Sequence, residues 1–213
     1  MKLYSFFNSS TSYRVRIALA LKGVSYEYQG VNIRIGEQET ADYIHLNPAK
    51  GVPLLIDDDG FRLNQSLAII EYLDACFPEP ALLPKDIKLR AQVRAFAYGI
   101  SCDIHPINNL RVLKYLKNQL GVTEQQKADW YKHWVAEGLS AAESVLSARE
   151  KTPYCFGEQP SLADICLIPQ MANAKRFGCD LSAYPRLMEV FEHSIKHPAF
   201  MQAQPEEQPD FIK

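Results

Sequence analysis

The stretch Ser9-Ser10-Thr11-Ser12-Tyr13-Arg14-Val15-Arg16 decides the fold of this chain, because it joins a short apolar strand to a helix that is closed by Gly23. Four hydroxyl side chains therefore lie at the start of a helix. Unpaired N–H groups and the positive end of the helix dipole meet at such a point and stabilise an anion. Helix capping explains some of these hydroxyls equally well, although four in a row exceed what capping needs.

A βαβ unit followed by a hairpin is predicted for the first part of the chain. The helix Ser12–Lys22 lies between the first strand and a second strand at Tyr26–Asn32, and a polar helix is expected near Glu37–His45. Two short strands flank the turn Asp57-Asp58-Asp59-Gly60, in which glycine supplies a positive φ. A largely apolar helix capped by Ser66 follows, and we expect it to be buried.

Beyond Pro84 the pattern changes, because helical spacing of apolar residues continues without strand-like alternation. Two domains are therefore predicted, an α/β domain over residues 1–80 and an all-helical domain over residues 86–213. A long helix is expected to be broken near Pro106. Further helices are predicted at 124–148, 162–177 and 187–196, and the tail, rich in Gln, Glu and Pro, is expected to lie on the surface.

Ser161 and Asp164 stand at the start of one of these apolar helices with the spacing of a capping box. Such a box satisfies two backbone N–H groups at the helix start. We interpret this pair as a folding signal and not as catalytic residues.

Composition narrows the class of partner. The chain has 213 residues and a net charge of -2, without a basic run, which argues against nucleic acid or an anionic membrane as the partner. No apolar run approaches the ~18 residues of a membrane span. The five cysteines have neither C-x-x-C spacing nor histidines at zinc-finger distance, so we expect reduced thiols and no metal site. Without the pattern of a signal peptide, the cytoplasm is the expected compartment.

The order of these segments, with Val52-Pro53, the run from Asn64 to Leu73 and the capping box, resembles the cytosolic glutathione transferases. Within them, the hydroxyl run is similar to the zeta class, whose hallmark is Ser-Ser-Cys-Ser followed by an aromatic residue and Arg-Val-Arg. That class includes maleylacetoacetate isomerases and maleylpyruvate isomerases. The resemblance implies a thioredoxin-like domain that binds glutathione, an all-α domain that binds a small dicarboxylate substrate, and a homodimer.

The resemblance also implies which residues form the site. A free thiol has a pKa of about 8.5, so glutathione needs groups that stabilise its thiolate. Ser9, Ser10 and Thr11 are the catalytic candidates, with Ser10 the first candidate to donate to the sulfur. Thr11 stands where the family motif carries cysteine. A protein thiol therefore has no role at this position, whereas the threonine hydroxyl can still donate a hydrogen bond. The glutathione-binding candidates are Ser12, Arg14, Gln38, Val52, Gln65, Ser66, His105 and Asn109.

Several of these residues have more than one interpretation. We favour helix capping for Ser12, and capping explains Ser66 as well as ligand binding does. An X-Pro bond is cis in only about 5–6% of cases, yet the resemblance implies a cis bond at Val52-Pro53. His105 either holds glutathione or moves a proton, and a purely structural role is the alternative. Arg111 and Arg176 are the substrate-binding candidates, because guanidinium groups match carboxylates bidentately; exposure to solvent is the alternative for both.

The implied reaction is conversion of maleylacetoacetate to fumarylacetoacetate in tyrosine and phenylalanine breakdown, by reversible addition of the glutathione thiolate, rotation about the resulting single bond, and elimination. The main alternative is maleylpyruvate isomerisation in the gentisate route, since both substrates share the reacting half. A general zeta-class transferase or dehalogenase is a second alternative. A non-catalytic binding protein on the same fold is a third.

Overall fold

Four strands form one mixed sheet in the order β2-β1-β3-β4 in the computed structural model, which describes residues 1–212. The strands are β1 (Lys2–Ser5), β2 (Glu27–Gly30), β3 (Leu54–Ile56) and β4 (Arg62–Asn64). β1 pairs parallel with β2 and antiparallel with β3, and β3 pairs antiparallel with β4. The predicted βαβ unit and hairpin are therefore confirmed, and with them the thioredoxin-like class of this part of the chain.

The helices that accompany the sheet are α1 (Ser10–Leu21), α2 (Ala41–Leu46) and α3 (Ser66–Cys76), and a 3₁₀ turn spans Glu37–Glu39. α1 begins two residues before the predicted Ser12. Its cap is Ser9, whose side chain accepts the N–H of Ser12 at 3.3 Å. The prediction that Ser12 caps this helix was wrong, because Ser9 holds the extended backbone conformation that a cap requires.

Lys22 closes the far end of α1. Its side chain is buried, and its ammonium group donates at 2.6 Å to the carboxylate of Asp74 and to the carbonyls of Phe77 and Pro80. An ammonium group has three hydrogens to donate, and all three have acceptors here. One side chain thus ties the C-terminal ends of α1 and α3 together.

The helical part comprises α4 (Ile87–Tyr98), a π-helical segment (Gly99–Ile104), α5 (His105–Ile107), α6 (Leu110–Asn118), α7 (Glu124–Ser147), α8 (Leu162–Arg176) and α9 (Pro185–Ser194). The predicted break is confirmed, and it falls between α5 and α6. Pro106 lies in the first turn of α5, where its missing N–H is tolerated. A Cβ at Gly138 of α7 would overlap the side chain of Ile104, so glycine permits the close approach of these two elements.

The capping box at α8 is confirmed. Asp164 is fully buried, and one of its carboxylate oxygens accepts the backbone N–H of Ser161 at 2.8 Å and the Ser161 hydroxyl at 2.9 Å. The other oxygen accepts the N–H of Cys155 at 2.8 Å. Burial raises the pKa of this carboxyl above its usual value, although the four hydrogen bonds from Cys155 and Ser161 oppose that shift. The pair acts in folding, as predicted.

The C-terminal segment contains α10 (Pro198–Gln202) and a 3₁₀ turn at Pro205–Glu207. The chain divides into two compact units, one of Met1–Ala81 with the chain from Lys196 on, and one of Leu82–Ile195. The tail therefore groups with the first unit, although the predicted boundary assigns it to the helical domain. Ala203 and Gln208 are buried, so the expected surface position of the tail is wrong for these residues. None of the helices in residues 1–212 has the length and apolar character to cross a membrane.

Candidate functional site

Hydrogen bonds join the hydroxyl run at the start of α1 to the loop before β3. The Thr11 hydroxyl donates to the carbonyl of Val52 at 2.9 Å, and the hydroxyls of Ser9 and Thr11 lie 2.8 Å apart. The structure thus brings together three of the predicted site residues, of which Thr11 and Val52 are 41 positions apart in sequence.

The number of hydroxyl protons decides the direction of each bond. A hydroxyl has one proton to donate, and Thr11 gives its proton to Val52. Ser9 must then donate to Thr11, while the Ser9 oxygen accepts the N–H of Ser12. The protons of Ser9 and Thr11 are therefore both used within the chain. Ser10 is the first residue of the helix and is 5% exposed, and its role as the donor to the sulfur stays a prediction.

Three other residues of the motif, Ser12, Arg14 and Arg16, are buried. Ser12 is 0% exposed, and its hydroxyl oxygen has no hydrogen-bond partner among residues 1–212, so its role in glutathione binding stays a prediction. Arg14 is 1% exposed and donates to the Ser66 hydroxyl at 3.4 Å, which links it to the start of α3. Arg16 donates to the carbonyls of Phe6, Phe7 and Ala203.

The bond Val52-Pro53 is cis, as the resemblance implies, and the bond Glu79-Pro80 is cis as well. Side chains of α2 and its flanking residue hold the loop before Val52: the Tyr43 hydroxyl and the Asn47 amide donate to the carbonyl of Gly51 at 2.6 and 2.8 Å. Burial raises the pKa of Tyr43 to about 12, so its hydroxyl keeps the proton it donates. The backbone of Val52 is therefore held in a fixed position.

The start of α3 resembles the start of α1 in its charge. Neither helix has an acidic residue in its first turn, so the positive end of each dipole is not neutralised locally. Gln65, just before α3, is exposed and has a φ of 70°, which is costly for a residue with a Cβ. Ser66 is buried beside it. A strained, exposed amide next to a helix start is the arrangement expected of a residue that contacts a ligand.

Gln38 carries an unused acceptor. Its side chain is 8% exposed, and its Oε1 atom has no hydrogen-bond partner among residues 1–212, whereas its Nε2 donates weakly to Glu39 at 3.4 Å. A buried amide oxygen without a donor is costly in a folded protein. A ligand N–H group at this position would remove that cost.

In the helical unit, the π-helical segment leads directly to His105. The His105 ring nitrogen Nε2 lies 3.4 Å from the Asn109 amide nitrogen. Asn109 also caps α6, because its side-chain oxygen accepts the N–H of Arg111 at 3.1 Å. The cap directs the amide N–H₂ toward His105. Three predicted residues thus form one local group, in which the side chain of Arg111 is exposed.

Arg176 ends α8. Its guanidinium lies 5.1 Å from the centre of the Phe177 ring and donates to the side-chain oxygen of Asn173. The Phe177 ring stacks on Tyr131 with centroids 4.1 Å apart. These contacts orient a guanidinium that is otherwise exposed, which suits recognition of a carboxylate.

The sequence did not single out Asp210. This carboxylate accepts the backbone N–H of Phe7, two residues before the hydroxyl run, at 3.1 Å. The two residues are 203 positions apart, so no local pattern could have revealed the contact.

Two family models cover most of the chain. Residues 1–75 match the glutathione S-transferase N-terminal domain, and residues 96–198 match the glutathione S-transferase C-terminal domain. The two matches follow one another in the order that the fold shows.

Relatives match along the whole chain. A probable maleylacetoacetate isomerase of Vibrio cholerae is 48% identical over 210 residues, which cover 98% of this chain and 97% of that protein. A holo structure of maleyl pyruvate isomerase, a bacterial zeta-class glutathione S-transferase, superposes with a TM-score of 0.97 at 44% identity and covers 100% of both chains. A maleylacetoacetate isomerase of Methylobacterium extorquens AM1, solved with malonate and glutathione, has a TM-score of 0.94 at 34% identity, again with 100% of both chains covered.

Proposed function

The chain belongs to the glutathione S-transferase family, and we propose that it is a glutathione-dependent cis–trans isomerase that converts maleylacetoacetate to fumarylacetoacetate. The observation that carries this proposal is the start of α1, where hydroxyl groups and backbone N–H groups meet without an acidic residue. Such a helix start stabilises a thiolate. Full-length similarity to isomerases of maleyl compounds supports this choice of reaction within the family.

The residues of the first unit suit glutathione as donors and acceptors. The fixed backbone of Val52 offers an N–H and a second lone pair on its carbonyl to a peptide ligand. The unused oxygen of Gln38 accepts an N–H group, and the start of α3 with Gln65 and Ser66 suits a carboxylate. A tripeptide with one thiol and two terminal carboxylates meets these groups.

Glutathione, when bound, supplies the thiolate that adds reversibly to the carbon–carbon double bond and allows rotation. The chain's own contribution is electrostatic. The Ser10 hydroxyl holds the sulfur in its anionic form. The hydrogen bonds of Ser9 and Thr11 fix the position of the hydroxyl run relative to Val52. Asn109 holds glutathione, and His105 either holds glutathione or moves a proton. Arg111 and Arg176 bind carboxylates and spread the negative charge that develops in the transition state.

Maleylpyruvate is a second candidate substrate, because the structure of maleyl pyruvate isomerase matches this chain with a TM-score of 0.97. Both substrates present the same maleyl group and differ in the keto-acid tail. The groups assigned above contact features that the two compounds share.

We also propose a homodimer in the cytoplasm. Membership of the family supports the dimer. The compartment agrees with the five cysteines, all of which are free thiols in residues 1–212, since reduced cysteines are typical of the cytoplasm. Light scattering on the purified protein tests the assembly, and a mass of one chain would contradict it.

An ultraviolet assay on maleylacetoacetate and on maleylpyruvate, with and without glutathione, tests the reaction. We expect turnover only with glutathione, and a higher kcat/KM for maleylacetoacetate. Equal rates without glutathione would contradict the mechanism. Turnover of a haloacid without isomerisation would instead identify a dehalogenase.

The role of the arginines is tested by Arg176→Ala and Arg111→Ala, with Arg149→Ala as the matched control. Arg149 is partly exposed and lies over the ring of Phe156, as Arg176 lies over Phe177. We expect a KM for the substrate raised about tenfold or more in the first two variants and unchanged in the control. An unchanged KM in Arg176→Ala would mean that Arg176 is a solvent-exposed residue without a role in substrate binding.

A further inference from the structure

The turn formed by residues 6–8, between β1 and α1, is held on one side by Arg16. The guanidinium donates to the carbonyl of Phe6 at 3.3 Å and to the carbonyl of Phe7 at 2.9 Å. The carbonyl of Phe6 also accepts the N–H of Ser9 at 3.0 Å, so the turn is linked directly to the cap of α1. Any rotation of this turn moves the start of the helix.

The other side of the turn is held by the end of the chain. One oxygen of Asp210 accepts the N–H of Phe7 at 3.1 Å, and the other accepts the Tyr28 hydroxyl at 2.5 Å. The Phe211 ring meets the Phe7 ring edge-on, with centroids 5.4 Å apart. A Cβ at Gly30 would lie 3.2 Å from the Cβ of Asp210, so the absence of a side chain there allows the close approach.

Arg16 also joins the two sides, because its Nε donates to the carbonyl of Ala203 at 3.0 Å. We call residues 203–211 the C-terminal strap. The strap therefore reaches the turn at three points: through the carbonyl of Ala203 by way of Arg16, through the carboxylate of Asp210, and through the ring of Phe211.

We propose that the C-terminal strap positions the thiolate-stabilising hydroxyl, with Asp210 as its positioning residue, by fixing the peptide plane of Phe7 and thus the direction of Ser10. The inference rests on the proposed function of Ser10. Asp210 does not touch the ligand. It acts through the turn that precedes the hydroxyl run.

Electrostatics and positioning predict opposite signs for the loss of Asp210. The carboxylate carries a negative charge, and removal of a negative charge near a thiolate lowers the pKa of the thiol. Removal of the acceptor for the Phe7 N–H frees the turn, misdirects Ser10 and raises that pKa. The direction of the change therefore separates the two effects.

The experiment is a titration of the thiolate absorbance of glutathione bound to the full chain. Asp210→Ala is compared with Asp210→Asn and with Glu207→Ala, which removes an exposed charge from the same segment. The asparagine can accept from Phe7 through its carbonyl and donate to Tyr28 through its amide. We expect the apparent pKa to rise by about one unit and kcat to fall about tenfold in Asp210→Ala. We expect the apparent pKa of bound glutathione and the kcat of Asp210→Asn and of Glu207→Ala to stay close to the values of the unmodified protein.

A folded Asp210→Ala variant whose bound thiol has an unchanged or lowered pKa overturns the proposal. If that variant does not fold, Phe211→Ala loosens the same turn without removing the carboxylate. We then expect a smaller rise in the apparent pKa of bound glutathione. A thiolate titration identical to that of the unmodified protein would again overturn the proposal. The titration requires glutathione binding but no isomerase activity. A result that contradicts the role of the strap can therefore be distinguished from a result that contradicts the proposed reaction.

Discussion

The starts of α1 and α8 use the same local chemistry for different ends. Each helix is capped by a serine, Ser9 in one and Ser161 in the other. Three residues after the cap, α8 has Asp164, which is buried and accepts from the cap, whereas α1 has Ser12 at that position. The start of α8 is satisfied by the chain's own carboxylate, whereas the first turn of α1 has no acidic residue.

This difference teaches how a stability motif and a binding motif can be told apart. A serine cap alone fits both. An acid at the third helical position neutralises the helix end and indicates folding, while its absence together with extra hydroxyls indicates a site for an anion. The first turn of α3 also lacks an acid, although it has only one hydroxyl, that of Ser66.

The largest effect is expected from Ser10→Ala, which removes the proposed anion donor of α1. Loss of one such donor typically lowers kcat by about 10²–10³-fold. We expect a loss in that range for the glutathione-dependent rate, a raised pKa of bound glutathione, and a much smaller change in glutathione affinity. Steady-state kinetics and calorimetry measure these quantities. A variant as fast as the unmodified protein would remove Ser10 from its assigned role.

The counterpart on α8 is Asp164→Ala. This variant should be less stable than the unmodified protein, and the pKa of bound glutathione should be unchanged. The substitution leaves the buried N–H groups of Ser161 and Cys155 without acceptors. Each unsatisfied buried donor costs about 1–3 kcal/mol, so we expect a loss of about 3 kcal/mol in the free energy of unfolding by urea titration. Asp86→Ala, at the exposed cap of α4, is the control and should cost about 1 kcal/mol. Equal losses in the two variants would contradict the contrast.

Gln65 tests whether strain at the start of α3 serves binding. Gln65→Gly relieves the positive φ, whereas Gln65→Ala keeps it, and both remove the amide. We expect the glycine variant to be about 1 kcal/mol more stable than the alanine variant, with glutathione affinity reduced to a similar extent in both. Thermal unfolding and calorimetry separate the two quantities. Unchanged affinity in both would mean that the amide does not contact glutathione.

The smallest effect is expected at Thr11. Thr11→Val removes the bond to the carbonyl of Val52, while Thr11→Ser preserves a hydroxyl at the same place. We expect the valine variant to raise the KM for glutathione about three- to tenfold, because a net hydrogen bond is worth about 1 kcal/mol. The serine variant should stay near the original value. If serine and valine behaved alike, the bond between Thr11 and Val52 would have no part in binding.

The features that the sequence predicted well depend on neighbouring residues. The capping box of α8 is contained in four residues, and the hairpin is specified by a turn with glycine. The start of α1 was misplaced because four consecutive hydroxyls offer several possible caps, and only the backbone conformation selects Ser9. The cis bond at Val52-Pro53 came from the family resemblance, since propensity alone favours trans.

The features that the sequence missed depend on contacts far along the chain. Arg16 stands in the hydroxyl motif, yet its guanidinium serves three backbone carbonyls, one of them 187 positions away. Asp210 lies in a segment whose composition predicts a surface position. Tertiary packing determines the contacts of Arg16 and of Asp210. Such packing leaves no periodic pattern in a single sequence.

Lys22 gives the first unit an internal chemical reporter. Amine-reactive reagents acylate only a neutral, accessible amine, and the ammonium group of Lys22 is buried with its three hydrogens donated. An exposed lysine such as Lys50 reacts directly from the folded state. Acylation of Lys22 must wait until the ends of α1 and α3 separate, so its labelling rate, followed by mass spectrometry, counts the opening events of that unit.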